Sequence, residues 1–288
     1  MTTEQAMIDV VTTAALPRQS KPRVRLLDPA LIGALLIVAL VVMALAAPMI
    51  SGHDPAANDL AQRLRPPSGQ HWFGTDQFGR DVFTRVFVAA RIDLLLGLLG
   101  ALIPAVIGIA LGCAAGYFGG WVGSIVLRLA DFIQSFPNYI LLIALVLLLG
   151  PGPKSFLVGA AISAWVTYAR LVRGVVLRIR SNDYIAAAQA AGLGHTRVLT
   201  RHVLPNALPQ AIVYGASDLV LSLGFLCSLS YLGLGVQPPA IEWGQIIAEG
   251  QAFLRTQWWI SIAPGLAIIY VGIAVRLIAV GMERRTTE

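Results

Sequence analysis

Charged side chains are rare in this chain, and those set within apolar sequence are the first candidates for chemistry. Arg128 and Asp131 stand three residues apart, a spacing that puts them on one helical face where each can neutralise the other. Gln134 and Asn138 continue roughly along that face, which is expected to look into the protein. Ionisable groups at membrane depth are costly unless paired or facing water. The stripe therefore either lines a translocation path or is an internal packing pair that sets helix register, and both readings stay open. Asp218, alone in another apolar block, is a further candidate for lining a path. Arg170, Arg173 and Arg276 lie near helix ends, where a long side chain can snorkel to water. His195 and His202, seven residues apart, can share a face, but two histidines without acids or cysteines make a poor metal site. His53 and His71 are loop residues to which spacing assigns no partner. No nucleophile is backed by a base, so catalytic chemistry is not expected.

The elements that must hold these groups follow from composition. Of 288 residues, 57% are hydrophobic and 12% charged, against about 45–50% and roughly 25% in a soluble domain. Mean hydropathy is +0.73. So few charges cannot tile a water-exposed surface, and the apolar residues come in blocks long enough to cross about 30 Å of hydrocarbon. The chain reads as an all-α integral membrane protein with six transmembrane helices. The first block, 30–50, opens at Asp28-Pro29, is too long for a signal-peptide core and is expected to stay as an anchor. The second, 92–117, contains Pro104, which should kink rather than end it. The third, 122–149, stops at Gly150-Pro151-Gly152-Pro153, and the fourth begins near Phe156. The fifth covers 207–232 and the sixth 259–280. This divides the chain into a tail (1–29), a first helix (30–50), an outer loop (51–91), a five-helix core (92–282) and a second tail (283–288).

Loop charge orients the bundle. With the N-terminus inside, four basic residues in 1–29, six in 170–206 and two beyond 282 are cytoplasmic, against five in 51–91 with Lys154 and Arg255 outside. Both termini are therefore expected to be cytoplasmic, with Trp258 and Trp259 in an outer interfacial belt. The net charge of +6 is spread between apolar blocks and not interleaved with aromatics, which argues against a nucleic-acid partner. Cys113 and Cys227 each sit within an apolar block and read as small buried hydrophobes.

The inner stretch between the fourth and fifth blocks departs from a simple bundle. Ser181, Asn182 or Asp183 can cap a short helix through Tyr184, Ile185, Ala186, Ala187, Ala188, Gln189, Ala190 and Ala191, and Gly192 can supply the left-handed residue that ends it. A second short helix, Thr196 to Leu204, is expected to stop before Pro205. An alanine face carries almost no side-chain bulk and lets another surface approach the backbone. Local physics alone leaves open whether the stretch is a docking element or a solvated hairpin.

Three segments carry a resemblance to one family. Ala187-Ala188, then Gly192, then Leu204-Pro205 with Pro205 thirteen residues beyond the glycine, resemble the coupling loop of membrane subunits of binding-protein-dependent ABC importers. That resemblance implies a cytoplasmic coupling helix between the fourth and fifth spans, seated on an ATP-hydrolysing subunit, with Asp183, Tyr184, Ala186, Ala187, Ala188, Ala191, Gly192, Arg201, Leu204 and Pro205 as docking residues. Ala186 stands where the family often has Glu. Phe73-Gly74-Thr75-Asp76-Gln77-Phe78-Gly79-Arg80-Asp81, with Arg85 and Ala90-Arg91, is similar to the segment that leads into the second span in the dipeptide, oligopeptide and nickel permease subfamily. Leu232-Gly233-Leu234-Gly235-Val236-Gln237-Pro238-Pro239 with Glu242-Trp243-Gly244 resembles the outer segment after its fifth span.

The chain lacks a phosphate-binding loop: Lys154-Ser155 is preceded by Pro153, where such a loop needs glycine, and no strand leads into it. The expectation is an importer permease of a bacterial inner membrane with no cofactor of its own, ATP and Mg²⁺ being bound by partner subunits. The resemblance further implies a heterodimer with a sister permease, two ATP-binding subunits and an extracytoplasmic solute-binding protein. Peptides are the expected solutes; nickel or metal chelates, opines and glutathione are the alternatives within the subfamily. A secondary transporter or channel would be built from inverted repeats with broken helices, and none is evident.

Overall fold

A computed structural model describes residues 28–287; the basic tail with Arg18, Lys21, Arg23 and Arg25 lies outside the described residues. Helix α1, Pro29–Ser51, starts where the Asp28 carboxylate accepts from the Ala30 amide at 2.9 Å, with Pro29 in the first turn. It ends at Gly52, held at φ 70°. Helix α2, Val82–Tyr117, opens ten residues earlier than its hydropathy suggested, because Asp81 caps it and residues 82–91 are helical and mostly buried. Arg85 and Arg91 had disguised that turn as loop. The helix runs on through Pro104.

The third apolar block is not one helix. It divides into α3, Gly120–Gln134, and α4, Asn138–Leu149, bent by 85° at Ser135–Pro137. Pro137 lacks an amide hydrogen and disfavours α conformation in Phe136, so the ladder breaks there. Helices α5, Pro153–Ser163, and α6, Trp165–Arg180, join at Ala164 into one 28-residue span. The elbow holds α7, Asp183–Ala190, and α8, His195–Val198, followed by a π turn over Leu199–Val203 and then α9, Leu204–Tyr231. The second elbow helix therefore does not stop before Pro205 but runs on into the fifth span. Pro205 falls in the first turn of α9, and the wide π turn before it accommodates the missing donor. Helices α10, Trp243–Gly250, and α11, Trp259–Thr287, complete the fold. Among the described residues five helices are long and apolar enough to span a membrane, six if the bent α3–α4 pair is one span.

The bundle is held by close backbone approach. The pair α2 and α6 is its most extensive helix contact, and α2 meets α6 along Gly108, Gly112 and Gly116. A Cβ at Gly112 would stand 2.5 Å from the Ala169 carbonyl oxygen, and one at Gly116 would stand 2.8 Å from the Val176 side chain. Small residues at every fourth position allow such packing where lipid supplies no hydrophobic drive between helices. Helix α1 lies on α11 and α2, and Arg91 Nε donates to the Ala44 carbonyl at 2.8 Å.

Candidate functional site

The elbow sits on the ends of three long helices. Ile185 of α7, Val198 of α8 and Val203 of the π turn are fully buried in one cluster with Tyr117 of α2, Val176 and Ile179 of α6, and Ala207 of α9. Movement of the elbow must therefore move the ends of α2, α6 and α9 or tear this cluster. Its outer surface presents Asp183, Tyr184, Ala186, Ala187, Ala190 and Ala191, all exposed, whereas Ala188 is half-buried. Gly192 closes α7 at φ 81°: its amide donates to the Gln189 carbonyl at 2.9 Å, and the Leu193 amide donates to the Ala188 carbonyl at 3.2 Å. These two hydrogen bonds, one from the left-handed glycine and one from the residue after it, are the Schellman arrangement. Side chains add a second clasp, with Tyr117 Oη 3.0 Å from His195 Nδ1 and receiving Gln189 Nε2 at 3.2 Å. Arg201 and Pro205 are exposed and Leu204 is half-buried. Of the ten residues named from the sequence, Asp183, Tyr184, Ala186, Ala187 and Ala188 lie in α7, Ala191 and Gly192 close it, Arg201 lies in the π turn, and Leu204 and Pro205 open α9.

The intramembrane charges are arranged differently from their sequence spacing. Asp131 accepts from Arg170 Nη2 of α6 at 2.6 Å, not from Arg128. The buried face of α3 is Gly123, Ala130 and Ile133, so Arg128, Asp131 and Gln134 point away from the core of this chain, whereas Asn138 opens α4 beyond the bend and leaves that face. The stripe was expected to look inward; a long-range partner on α6 and the small buried residues of α3 turn it outward. Asp218 is not alone either. It is buried and accepts from Tyr168 Oη at 3.0 Å, with the Tyr168 and Tyr214 rings edge to face at 4.8 Å. With Asn138, Ser163 and Ser222 it borders a cavity of about 30 Å³.

A third cluster lies at the far end of α2, in the two outer segments that carry the permease resemblance. Asp76 Oδ1 accepts from the amides of Phe78 at 2.8 Å and Arg80 at 3.0 Å, and Oδ2 takes Arg80 Nε at 2.7 Å and Arg85 Nη1. Both arginines also reach Glu249 of α10, at 2.7 and 2.9 Å. Arg85 and Asp76 are each about 1% exposed at the side chain. Trp243 Nε1 donates to the Val86 carbonyl at 2.8 Å and its amide to Asp93 at 3.0 Å. Burial pushes the Glu242 carboxyl above the ordinary carboxylate range, against the pull of the Gly244 and Gln245 amides it caps. The two motifs flanking the bundle are therefore one structure, a polar plug joining the start of α2 to α10.

Comparison with known proteins follows the same lines. Residues 108–288 match the binding-protein-dependent transport system inner membrane component family, and residues 28–67 match the N-terminal transmembrane domain of oligopeptide transport permease C. The chain is 37% identical over 250 residues to a probable D,D-dipeptide transport system permease protein of Escherichia coli K12, covering 87% of this chain and 84% of that one. It is 42% identical to a probable peptide ABC transporter permease protein of Sinorhizobium fredii, with 84% and 82% covered. The Bacillus subtilis oligopeptide permease protein OppC is 33% identical, with 80% and 75% covered. Among solved structures, the fold is similar to a chain of the MetNI methionine ABC transporter in inward-facing conformations, at TM-score 0.54 and 20% identity over 70% of this chain and 95% of that one.

Proposed function

Because the chain belongs to the family of binding-protein-dependent transport system inner membrane components, the multi-pass membrane subunits of bacterial ABC importers, we propose that it imports di- or oligopeptides and is driven through the Asp183–Pro205 elbow. The peptide assignment is supported by the relatives, which are named as dipeptide, oligopeptide and peptide permease proteins. In this reading the chain pairs with a sister permease, both termini are cytoplasmic, and two partner subunits bind ATP and Mg²⁺ and hydrolyse the nucleotide. A solute-binding protein delivers peptide at the face formed by residues 52–81 and α10. The outward stripe of Arg128, Asp131 and Gln134 borders the path shared with the sister subunit, and Asp218 borders it from α9.

The observation that carries the driving mechanism is the combination of an exposed alanine face with a buried root. The face lets a partner groove approach the α7 backbone, and the root in the Tyr117–Val176–Ala207 cluster passes displacement to three spans at once. A contact equally good in both conformations would shift neither. The partner must therefore hold the elbow differently with ATP bound and with ATP hydrolysed.

The test is uptake and ATP turnover in the reconstituted complex carrying Ala187→Arg or Gly192→Trp. Arg at 187 adds bulk and charge to the exposed face. Trp at 192 is strained at φ 81° by about 1–2 kcal/mol, while Gly192→Asn, which tolerates that conformation, is the control. Uptake is expected to fall at least tenfold in the first two, with the protein retained in the membrane and ATP turnover no longer responding to the binding protein. Normal uptake in both would contradict the proposal. The solute class is tested separately, by mass spectrometry of what the isolated binding protein holds.

A further inference from the structure

At the end of the molecule opposite the elbow, two histidines far apart from any inner-face motif come together. His53 follows the end of α1 and His71 lies in the turn before α2, yet their rings stand 4.6 Å apart at an interplanar angle of 38°. His71, 7% exposed, has its Nδ1 3.0 Å from Asp81 Oδ1. The other oxygen of Asp81 is occupied by the Thr84 amide at 2.8 Å and hydroxyl at 2.6 Å. The carboxylate therefore cannot swing, and it holds the His71 ring in one orientation with Nε2 as its remaining nitrogen. One ligand-type atom from each of His53, His71 and Asp81 lies within 4.8 Å of the other two.

One atom in this cluster is unsatisfied. Nδ1 of His53 is shielded from solvent and has no hydrogen-bond partner among the described residues. A buried polar nitrogen left bare costs about 1–3 kcal/mol, so the arrangement asks for a ligand with an empty orbital or a proton to give. The three residues border a cavity of about 570 Å³ whose rim includes Asp54, Asp59 and Gln70, polar enough and open enough to admit a hydrated ion. Imidazole suits late first-row divalent metals, zinc among them, and water can fill the places that two rings leave open. A carboxylate bonded to the far nitrogen of a ligating imidazole is the usual outer support of such sites.

We propose that His53, His71 and Asp81 form a binding site for one late first-row divalent cation, Zn²⁺ by donor preference, which ties the segment leaving α1 to the turn that opens α2. His53 and His71 ligate, and Asp81 orients His71. The cation is a resident brace of the outer cap. The proposal stands on this geometry alone and does not depend on the peptide reading or on the elbow.

The probe is Zn²⁺ alone, titrated against a chromogenic chelator into the full-length chain, purified without a histidine tag, stripped with chelator and held in nanodiscs. One equivalent is expected, with an X-ray absorption spectrum of two imidazole nitrogens, and zinc should raise the melting temperature. His53→Ala is expected to weaken binding at least tenfold and to abolish the thermal shift; Asp81→Asn, which keeps the helix cap, should weaken it about 10–100-fold. His195→Ala and His202→Ala should bind as the parent does. His71→Ala is the variant at risk of misfolding, since that ring is buried, and His53→Ala at a half-buried position carries the test without it. Absence of saturable zinc binding, or unchanged affinity and spectrum in His53→Ala, would overturn the proposal.

Discussion

Tyr117, the last residue of α2, meets His195 of the elbow at 3.0 Å and receives Gln189 from the same elbow at 3.2 Å. One phenol thus joins both short elbow helices to the end of a 36-residue helix whose other end, about 54 Å away at 1.5 Å per residue, carries the polar plug. The elbow is accordingly a fixed part of the bundle and not a loop draped between two spans.

Tyr117→Phe removes that clasp while keeping the ring in its buried place. The loss is expected to be about 1 kcal/mol, which corresponds to about fivefold faster amide hydrogen exchange in residues 185–198, with exchange in α6 unchanged. Exchange in the elbow at the parent rate would show that the apolar root alone fixes it.

The plug makes a stronger prediction. Asp76 is the shared acceptor of Arg80 and Arg85, and the Arg85 side chain is 1% exposed. Asp76→Ala leaves a buried guanidinium with Glu249 as its remaining partner, and breaking a buried pair costs about 3–5 kcal/mol. A lowered melting temperature of the purified protein and poor accumulation in the membrane are expected. A loss under about 1 kcal/mol would mean that Glu249 and water suffice.

Asp131 and Arg170 behave oppositely, being 68% and 43% exposed at the side chain. Facing a water-lined path, as proposed, such a pair contributes about 0–1 kcal/mol, so Asp131→Arg is expected to leave the protein folded and in the membrane while cutting uptake at least tenfold. The double exchange with Arg170→Asp should stay impaired, because a path reads where the charges are. Recovery of uptake in the double variant would make the pair a register device.

Much of the fold was legible because membrane spans announce themselves by hydropathy, and α7 was legible because an alanine run and a closing glycine are local signals, although Asn182, which opens it, makes no side-chain cap. What sequence missed was set by distance or disguised by charge. The first turns of α2 looked like loop because Arg85 and Arg91 interrupt the apolar run, although both find partners inside the protein. The break at Ser135–Pro137 had a visible sign in Pro137, outweighed by the apolar residues on either side. Asp131 was paired with its nearest helical neighbour, whereas tertiary contact supplied Arg170 from 39 residues away. Arg80 and Glu249 are 169 residues apart, a relation no spacing rule reaches. His53 and His71 likewise acquire each other only through the fold.

The central claim is that the elbow is held by an ATP-hydrolysing partner. A single cysteine at Ala187 tests it most directly, since Cys113 and Cys227 are buried and add little background. In the assembled complex this cysteine is expected to cross-link to the ATP-binding subunit and to be shielded from a membrane-impermeant maleimide, with both effects changing when ATP is bound. Labelling at the same rate in the complex as in the isolated chain, with no cross-link in any nucleotide state, would contradict the account.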